Sequence, residues 1–169
     1  MAWITHPRIL ETQHLHWPTE VACEAFAKRL AAAPGLWPDT LIALDGPLGA
    51  GKTTFVRHLL RALGVQGRIK SPTYAVLEPY EVAEPPQGMV SHFDFYRFND
   101  AHEWVDAGFR DVFAAPGLKL MEWPEKVAAV LPTPDLLLTL EPDATSDTAR
   151  QVAVHALTAH GRRLLLSLQ

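Results

Sequence analysis

The chain is poor in cysteine, in positive charge and in long hydrophobic runs. Its single cysteine, Cys23, cannot form an internal disulfide. Because Cys23 lies in a helical pattern, we expect it to be a small structural residue of that helix. Lys and Arg total 15 against 19 Asp and Glu, so the formal net charge is −4. This net negative charge excludes a broad basic surface for binding nucleic acid. If an RNA is involved, we expect another subunit to hold most of it.

Membrane and metal-site patterns are also missing from the sequence. No apolar stretch approaches the ~20 residues of a membrane span. The residues up to Trp17 contain no apolar secretory core, so we expect a cytoplasmic protein without membrane contact. The chain has eight histidines, yet none are paired at H-x-x-x-H spacing on a convincing helix. His14 and His16 could face one way on a strand, and we expect them at the surface.

The run GPLGAGKT at residues 46–53 is the most informative motif in the chain. It fits G-x-x-x-x-G-K-[ST], the phosphate-binding loop of nucleoside triphosphatases. An apolar strand pattern at 41–44 precedes the run, and a helical pattern follows it as far as the stop at Gly64. In such a loop backbone amides bind phosphate, Lys52 reaches the β- and γ-phosphates, and Thr53 can hold Mg²⁺.

The remaining patterns predict one α/β domain over residues 1–169. Apolar residues make up 48% of the chain, which is enough for a packed core. We expect a P-loop NTPase-like three-layer α/β/α fold, with a mixed, largely parallel sheet and antiparallel C-terminal strands. Helices are predicted at 21–33, after the phosphate loop and from Asn99, with a surface turn at 81–88. Strands are predicted at 10–17, 41–44, 67–80, 89–95, 118–122, 136–140, 152–157 and 164–168.

Two carboxylates at strand ends are candidates for the chemistry. Triphosphate hydrolysis needs a second Mg²⁺ ligand and a group that orients the attacking water. Glu122 ends the strand at 118–122, and Asp94 lies at the end of another. Ligands of open α/β sheets bind beyond the carboxyl ends of strands, so both should point toward the phosphate loop. Each could also be an ordinary solvated carboxylate or a helix cap.

Three further positions have two readings each. Ser71-Pro72-Thr73 is either a switch-like segment that senses the γ-phosphate or a proline kink in a strand. Trp123 either packs at the edge of the core or lies over the site. Arg97 either stabilises phosphate charge or pairs with a nearby acid such as Asp100.

Four motifs in order resemble the TsaE family, the bacterial ATPases of tRNA threonylcarbamoyladenosine biosynthesis, formerly called YjeE. They are the phosphate loop through Thr54, SPTY at 71–74, HFDFYR at 92–97 and MEWP at 121–124. The resemblance extends over residues 15–168. The chain departs from the family pattern at Pro47, where the family usually has Asp. Proline has no backbone N–H, so one potential donor of the loop is missing.

The resemblance implies ATP and Mg²⁺ as cofactors. It implies catalytic roles for Lys52 and Asp94, of which Asp94 is the residue most needed for hydrolysis. It implies that Thr53 and Glu122 bind the magnesium ion. The nucleotide contacts that it implies are Glu20, Gly49, Ala50, Gly51, Lys52, Thr53, Thr54, Thr73, Trp123 and Arg150.

The resemblance also implies partners. Such an ATPase serves a complex with the subunits TsaB and TsaD, and TsaD transfers the threonylcarbamoyl group onto adenosine 37 of tRNAs that read codons beginning with A. The ATP cycle supports repeated rounds, and tRNA is contacted only indirectly through the complex. We expect slow hydrolysis by the isolated chain and stimulation by the partners. The alternatives are a small-molecule P-loop kinase, which usually carries an arginine-rich lid, and a nucleotide-dependent switch without meaningful catalysis.

Overall fold

The computed structural model describes residues 8–83 and 88–169 and contains a seven-stranded sheet with helices on both faces. The strands are β1 (Glu11–Trp17), β2 (Leu41–Asp45), β3 (Leu77–Val82), β4 (Gly88–Asp94), β5 (Leu118–Glu122), β6 (Leu136–Pro142) and β7 (Arg150–Ala156). The helices are α1 (Glu20–Ala32), α2 (Lys52–Ala62), α3 (His102–Asp106), α4 (Phe109–Ala114) and α5 (Ala159–Ser167). None of these helices is long and apolar enough to cross a bilayer.

The sheet is parallel at its centre and antiparallel at both sides. Its strand order is β1-β7-β6-β2-β5-β4-β3. Strand β2 pairs in parallel with β5 and β6, and β4 pairs in parallel with β5. The β1-β7, β6-β7 and β3-β4 pairs are antiparallel. The predicted mixed sheet and antiparallel C-terminal pairing are therefore confirmed.

The core lies on both faces of the sheet, because alternate residues of the central strands point to opposite sides. Ile42 and Leu44 of β2 pack with buried residues of α1, α2 and α5. Ala43, between them, packs on the other face with buried residues of α3 and α4. This arrangement gives the three layers that the patterns predicted.

The predicted strand at 164–168 is wrong, because residues 164–167 belong to α5 and Leu168 is the C-cap of that helix. Thr158 caps that helix by accepting a hydrogen bond at its Oγ1 from the Gly161 backbone N–H, 3.0 Å away. Leu164, Leu165 and Leu168 are buried on one side of the helix, whereas Leu166 is 44% exposed. That spacing has helical period, but a run of five residues is too short for the period to be distinguished from a buried strand.

The predicted extended segment at 67–80 is also only partly correct. A strand begins at Leu77, and the preceding residues form a loop in which the Val76 N–H donates to the Pro72 carbonyl oxygen over 2.6 Å. Val76 has a φ of 68°, which interrupts extended backbone before the strand. Of the turn predicted at 81–88, residues 84–87 lie outside the described part of the chain.

Candidate nucleotide site

The phosphate loop connects the end of β2 to the start of α2, as the motif predicts. Gly51 caps the helix with a φ of 104°, a left-handed conformation that favours glycine. At Gly46 a side chain is excluded for another reason, because a Cβ there would overlap the Leu140 carbonyl oxygen. The loop therefore lies close against β6 and presents the N-terminus of an eleven-residue helix.

Lys52 is buried at the start of α2 and bends back over the loop. Its ammonium donates to the carbonyl oxygens of Gly46 and Pro47, the latter at 3.0 Å, and lies 4.0 Å from the ring centroid of Trp123. Burial lowers the pKa of Lys52, and the carboxylate of Glu122 opposes that shift. Pro47 thus contributes a carbonyl group to the loop, although it lacks an N–H.

Thr53 and Glu122 meet beside the loop. The Thr53 hydroxyl donates to Glu122 Oε1 over 2.7 Å, which joins the start of α2 to the end of β5. Glu122 is 2% exposed, and its other carboxylate oxygen accepts a hydrogen bond from His92 Nε2 at 2.6 Å. A hydroxyl and a carboxylate next to a phosphate loop are the oxygen ligands that suit Mg²⁺.

The Thr53 hydroxyl and the Glu122 carboxylate suit magnesium better than a metal ion whose ligands all come from the protein. Within the two described stretches, no group of three or more His, Cys, Asp or Glu side chains is placed to hold a metal ion. Mg²⁺ commonly takes one or two protein ligands and fills its remaining positions with phosphate oxygens and waters. Thr53 and Glu122 are sufficient for that mode of binding.

Asp94 lies beside Glu122, on the neighbouring strand of the sheet. The parallel register of β4 and β5 pairs these two residues directly. Asp94 Oδ1 accepts from the Tyr96 N–H at 2.9 Å, and Oδ2 accepts from the Thr73 hydroxyl at 3.3 Å. Burial raises the pKa of Asp94, and the hydrogen bond from Tyr96 opposes the rise.

Backbone strain is concentrated around these two carboxylates. Among the described non-glycine residues, only Val76 and Trp123 have positive φ values, of 68° and 59°. Val76 accepts a backbone hydrogen bond from the Asp94 N–H at 2.9 Å, and Trp123 directly follows Glu122. Strained residues of this kind often cluster at functional sites, because the surrounding structure holds a geometry that the chain does not prefer.

Two cavities meet at the phosphate loop. One, of about 320 Å³, lies over the loop and the two carboxylates and is bordered by Thr73 and Trp123. The other, of about 450 Å³, lies between the loop and the start of α1 and is lined by Trp17 and Glu20. The residues that line both cavities are Ala50, Gly51, Thr54 and Arg150. Each volume falls within the range of small-molecule sites, roughly 300–1,000 Å³.

A family model described as threonylcarbamoyl adenosine biosynthesis protein TsaE matches residues 17–152. This chain belongs to the TsaE family. It is 39% identical over 125 residues to the tRNA threonylcarbamoyladenosine biosynthesis protein TsaE of Haemophilus influenzae, a match that covers 74% of this chain and 75% of that protein. It is 30% identical over 151 residues to the protein of the same name from Bacillus subtilis, with 89% of each chain covered.

A solved structure has the same fold as this TsaE-family chain. The crystal structure of YdiB from Bacillus subtilis superposes with a TM-score of 0.76 over 95% of this chain and 96% of that one. The two sequences are 21% identical. At that level of identity the likeness supports the α/β fold alone.

The structure brings all twelve predicted site residues of this TsaE-family chain around the two cavities, and Arg150 lines both. Those at the phosphate-loop cavity are Gly49, Ala50, Gly51, Lys52, Thr53, Thr54, Thr73, Asp94, Glu122 and Trp123. Glu20 lines the second cavity, where its Oε1 lies 2.8 Å from His58 Nε2. Trp123 is half-buried and fits both readings: its ring lies over the site against Lys52, and it packs at the edge of the core.

Arg150 contacts backbone carbonyl groups of the phosphate loop. Its guanidinium donates to the Ala50 carbonyl at 2.9 Å and to the Gly49 carbonyl at 3.2 Å. It also donates to the carbonyl oxygens of Asp147 and Ala149. In this geometry Arg150 holds the loop in place from β7, and its predicted nucleotide contact stays a prediction. Arg97 lies over the Tyr74 ring instead, 4.1 Å from the centroid.

Sequence reasoning missed His92 and His58. His92 is the first residue of the HFDFYR motif at 92–97. The available signal was its spacing: in a strand, residues two apart share a face, so His92 lies on the same side of the sheet as Asp94. The contact between His58 and Glu20 joins α2 to α1, which residue spacing in the sequence cannot predict.

Proposed function

We propose that this chain is a magnesium-dependent ATPase that serves the threonylcarbamoyl modification of adenosine 37 in tRNAs reading codons that begin with A. The observation that carries the proposal is the Thr53–Glu122 hydrogen bond beside the phosphate loop, with the buried Asp94 next to it. A phosphate loop alone would bind phosphate. Hydrolysis also needs a second Mg²⁺ ligand and a group that orients the attacking water, and the paired carboxylates of Glu122 and Asp94 supply them.

The loop residues bind and orient the triphosphate. The backbone N–H groups at the start of α2 attract anions, and the helix dipole acts in the same direction. Lys52, now bonded to loop carbonyls, turns its ammonium to the phosphates when they enter. Thr53 and Glu122 would hold Mg²⁺, which would supply the positive charge that neutralises the phosphates.

Asp94 orients the attacking water through its carboxylate. Its backbone bond to Val76 and its side-chain bond from Tyr96 fix the group at the end of β4. The hydroxyl of Thr73 also reaches it, from the loop that precedes β3. A water-orienting group of this kind is a recurring part of nucleoside triphosphatases.

The second cavity suits the nucleoside. It adjoins the phosphate cavity through shared loop residues, and Trp17 gives it an apolar wall. Glu20, at its rim, is an acceptor for a nucleoside hydroxyl or amino group. This position agrees with the nucleotide contact that the family resemblance implies for Glu20.

A small-molecule kinase is less well supported. Kinases of this size clamp the phosphates with several arginines that also exclude water. Of the arginines in the described residues, only Arg150 lines either cavity, and its guanidinium is occupied by loop carbonyls. Among the described residues no arginine-rich lid therefore covers the phosphate cavity.

The partners that we propose are TsaB and TsaD, with tRNA held mainly by them. A net charge of −4 gives the chain little means of holding tRNA alone. Two large side chains at or next to the phosphate cavity are exposed: Leu48, which lines it, is 75% exposed, and Tyr74, which follows Thr73, is 82% exposed. A protein that covers this mouth would shield the reaction from bulk solvent, which supports stimulation by partners.

Phosphate release tests this proposal. We expect slow, Mg²⁺-dependent release of phosphate from ATP by the isolated chain and faster release when TsaB and TsaD are added. Glu122→Gln should abolish the activity, whereas Glu81→Gln, at an exposed position on β3, should not change it. Full activity in Glu122→Gln would contradict the site assignment. Unchanged turnover with both partners present would contradict the partner assignment.

A further inference from the structure

A buried histidine lies directly behind the predicted magnesium ligand. His92 is 0% exposed, and its Nε2 lies 2.6 Å from Glu122 Oε2. The opposite oxygen, Oε1, accepts from Thr53 at 2.7 Å. Both oxygens of the carboxylate therefore have one donor each, from two different elements of the fold.

Within residues 8–83 and 88–169, the His92 ring makes one hydrogen bond, and its partner is Glu122. A carboxylate only accepts, so Nε2 carries the hydrogen of this contact. Nδ1 is buried and has no hydrogen-bond partner in that part of the chain. Its neighbours on the same face of the sheet are apolar, including Val90 and Leu120. Burying Nδ1 without a partner costs free energy, so the presence of a histidine here needs an explanation.

Orientation of Glu122 is that explanation. A glutamate side chain has three rotatable torsions, and a single bond from Thr53 leaves its carboxylate free to turn. With the second bond from His92, the plane of the carboxylate is fixed and Oε1 faces the start of α2. Outer hydrogen bonds of this type fix metal-binding groups, and their loss costs roughly 10- to 100-fold in metal affinity.

We propose that His92 is a positioning residue that fixes Glu122 for magnesium binding, an inference that rests on the function proposed above. His92 does not touch nucleotide or metal itself. It acts through the carboxylate, and its removal should weaken metal binding more than nucleotide binding.

The matched pair His92→Gln and His92→Met tests the role. The two side chains have nearly the same length and volume, but only glutamine carries an N–H near the position of Nε2. Free Mn²⁺, measured by electron paramagnetic resonance in the presence of a non-hydrolysable ATP analogue, gives the metal affinity without turnover. We expect His92→Met to weaken Mn²⁺ binding roughly 10- to 100-fold and His92→Gln to recover most of that loss. Binding of the analogue in EDTA should be unchanged in both.

His155 provides the control. It is also a buried histidine on a strand, 9% exposed, and its Nδ1 lies 2.9 Å from the Thr12 hydroxyl, away from both cavities. His155→Met should lower thermal stability and leave Mn²⁺ affinity unchanged. An equal loss of Mn²⁺ affinity in His155→Met would show a general structural effect and overturn the inference.

Other outcomes separate the inference from the function on which it rests. Wild-type Mn²⁺ affinity in His92→Met overturns the positioning role and leaves the ATPase intact. Failure of the wild-type chain to bind Mn²⁺ with nucleotide overturns both. Should His92→Met not fold, nitrogen NMR of the wild-type ring decides: a hydrogen on Nε2 supports the role, and a ring with its hydrogen on Nδ1 alone contradicts it.

Discussion

Replacing Asp94 with asparagine should make the protein more stable while removing hydrolysis. Asp94 is 4% exposed, and burial raises its pKa above the usual 3.8, so the folded state disfavours its charge. Asparagine has the same shape and keeps an acceptor for the Tyr96 N–H. Its amide can donate to the Thr73 hydroxyl, which now donates to the carboxylate over 3.3 Å. The substitution thus removes the buried charge without removing its hydrogen bonds.

The expected gain is about 0.5–2 kcal/mol at neutral pH, the range typical of single stabilising substitutions. For a chain of this length, each kcal/mol corresponds to roughly 2–4 °C in Tm. The gain should depend on pH. Because the pKa of Asp94 is higher in the folded state than its usual value of 3.8, the wild-type chain loses stability as pH rises through the folded pKa. The advantage of Asp94→Asn should therefore be largest near pH 8 and shrink toward pH 4.

Thermal and urea unfolding between pH 4 and pH 8 measure the gain, with phosphate release and calorimetric ATP binding on the same samples. ATP should still bind to Asp94→Asn, and hydrolysis should be lost. Asp106→Asn, at an exposed position on α3, is the control and should show no such dependence on pH. If Asp94→Asn is less stable than the wild-type chain over the whole range, or retains its hydrolysis, the reasoning about this carboxylate is refuted.

Three further substitutions test other parts of the account. Arg150→Lys keeps the charge but loses the set of four carbonyl contacts, so calorimetry should show ATP binding weakened by about 1.5–3 kcal/mol. Unchanged ATP affinity would show that the phosphate loop keeps its conformation without these contacts. Gly161→Ala should destabilise by about 1–3 kcal/mol in urea unfolding, because a Cβ overlaps the Asp135 carbonyl, whereas an ordinary helix position would gain stability. Lys52→Ala should lose ATP binding and, in pull-downs from the native cell, alter recovery of partners relative to wild type; identical recovery would contradict a nucleotide-controlled assembly.

The phosphate-loop unit was predictable because its signals are local. The loop glycines, the apolar strand before them and the helical pattern after them all lie within about 25 residues of sequence. The meeting of Asp94 and Glu122 was also predictable, since the carboxyl ends of neighbouring parallel strands share one edge of a sheet. The structure confirms that these two residues are paired in register.

The remaining features depend on contacts between distant segments. Arg150 contacts loop residues about 100 positions away, and no residue spacing predicts that contact. Residues 164–168 form part of a helix because Thr158 caps it and its leucines pack on the core, whereas five apolar residues alone fit a strand equally well. The left-handed turn at Val76 is imposed by the surrounding structure, against the preference of a β-branched residue.

The most direct test of the central claim is a crystal structure with a non-hydrolysable ATP analogue and Mn²⁺, whose anomalous signal identifies the ion. The account predicts the ion bound by Thr53 and Glu122, with the phosphates on the backbone amides at the start of α2. An ion bound elsewhere, or a Glu122 carboxylate turned away from it, would contradict the account.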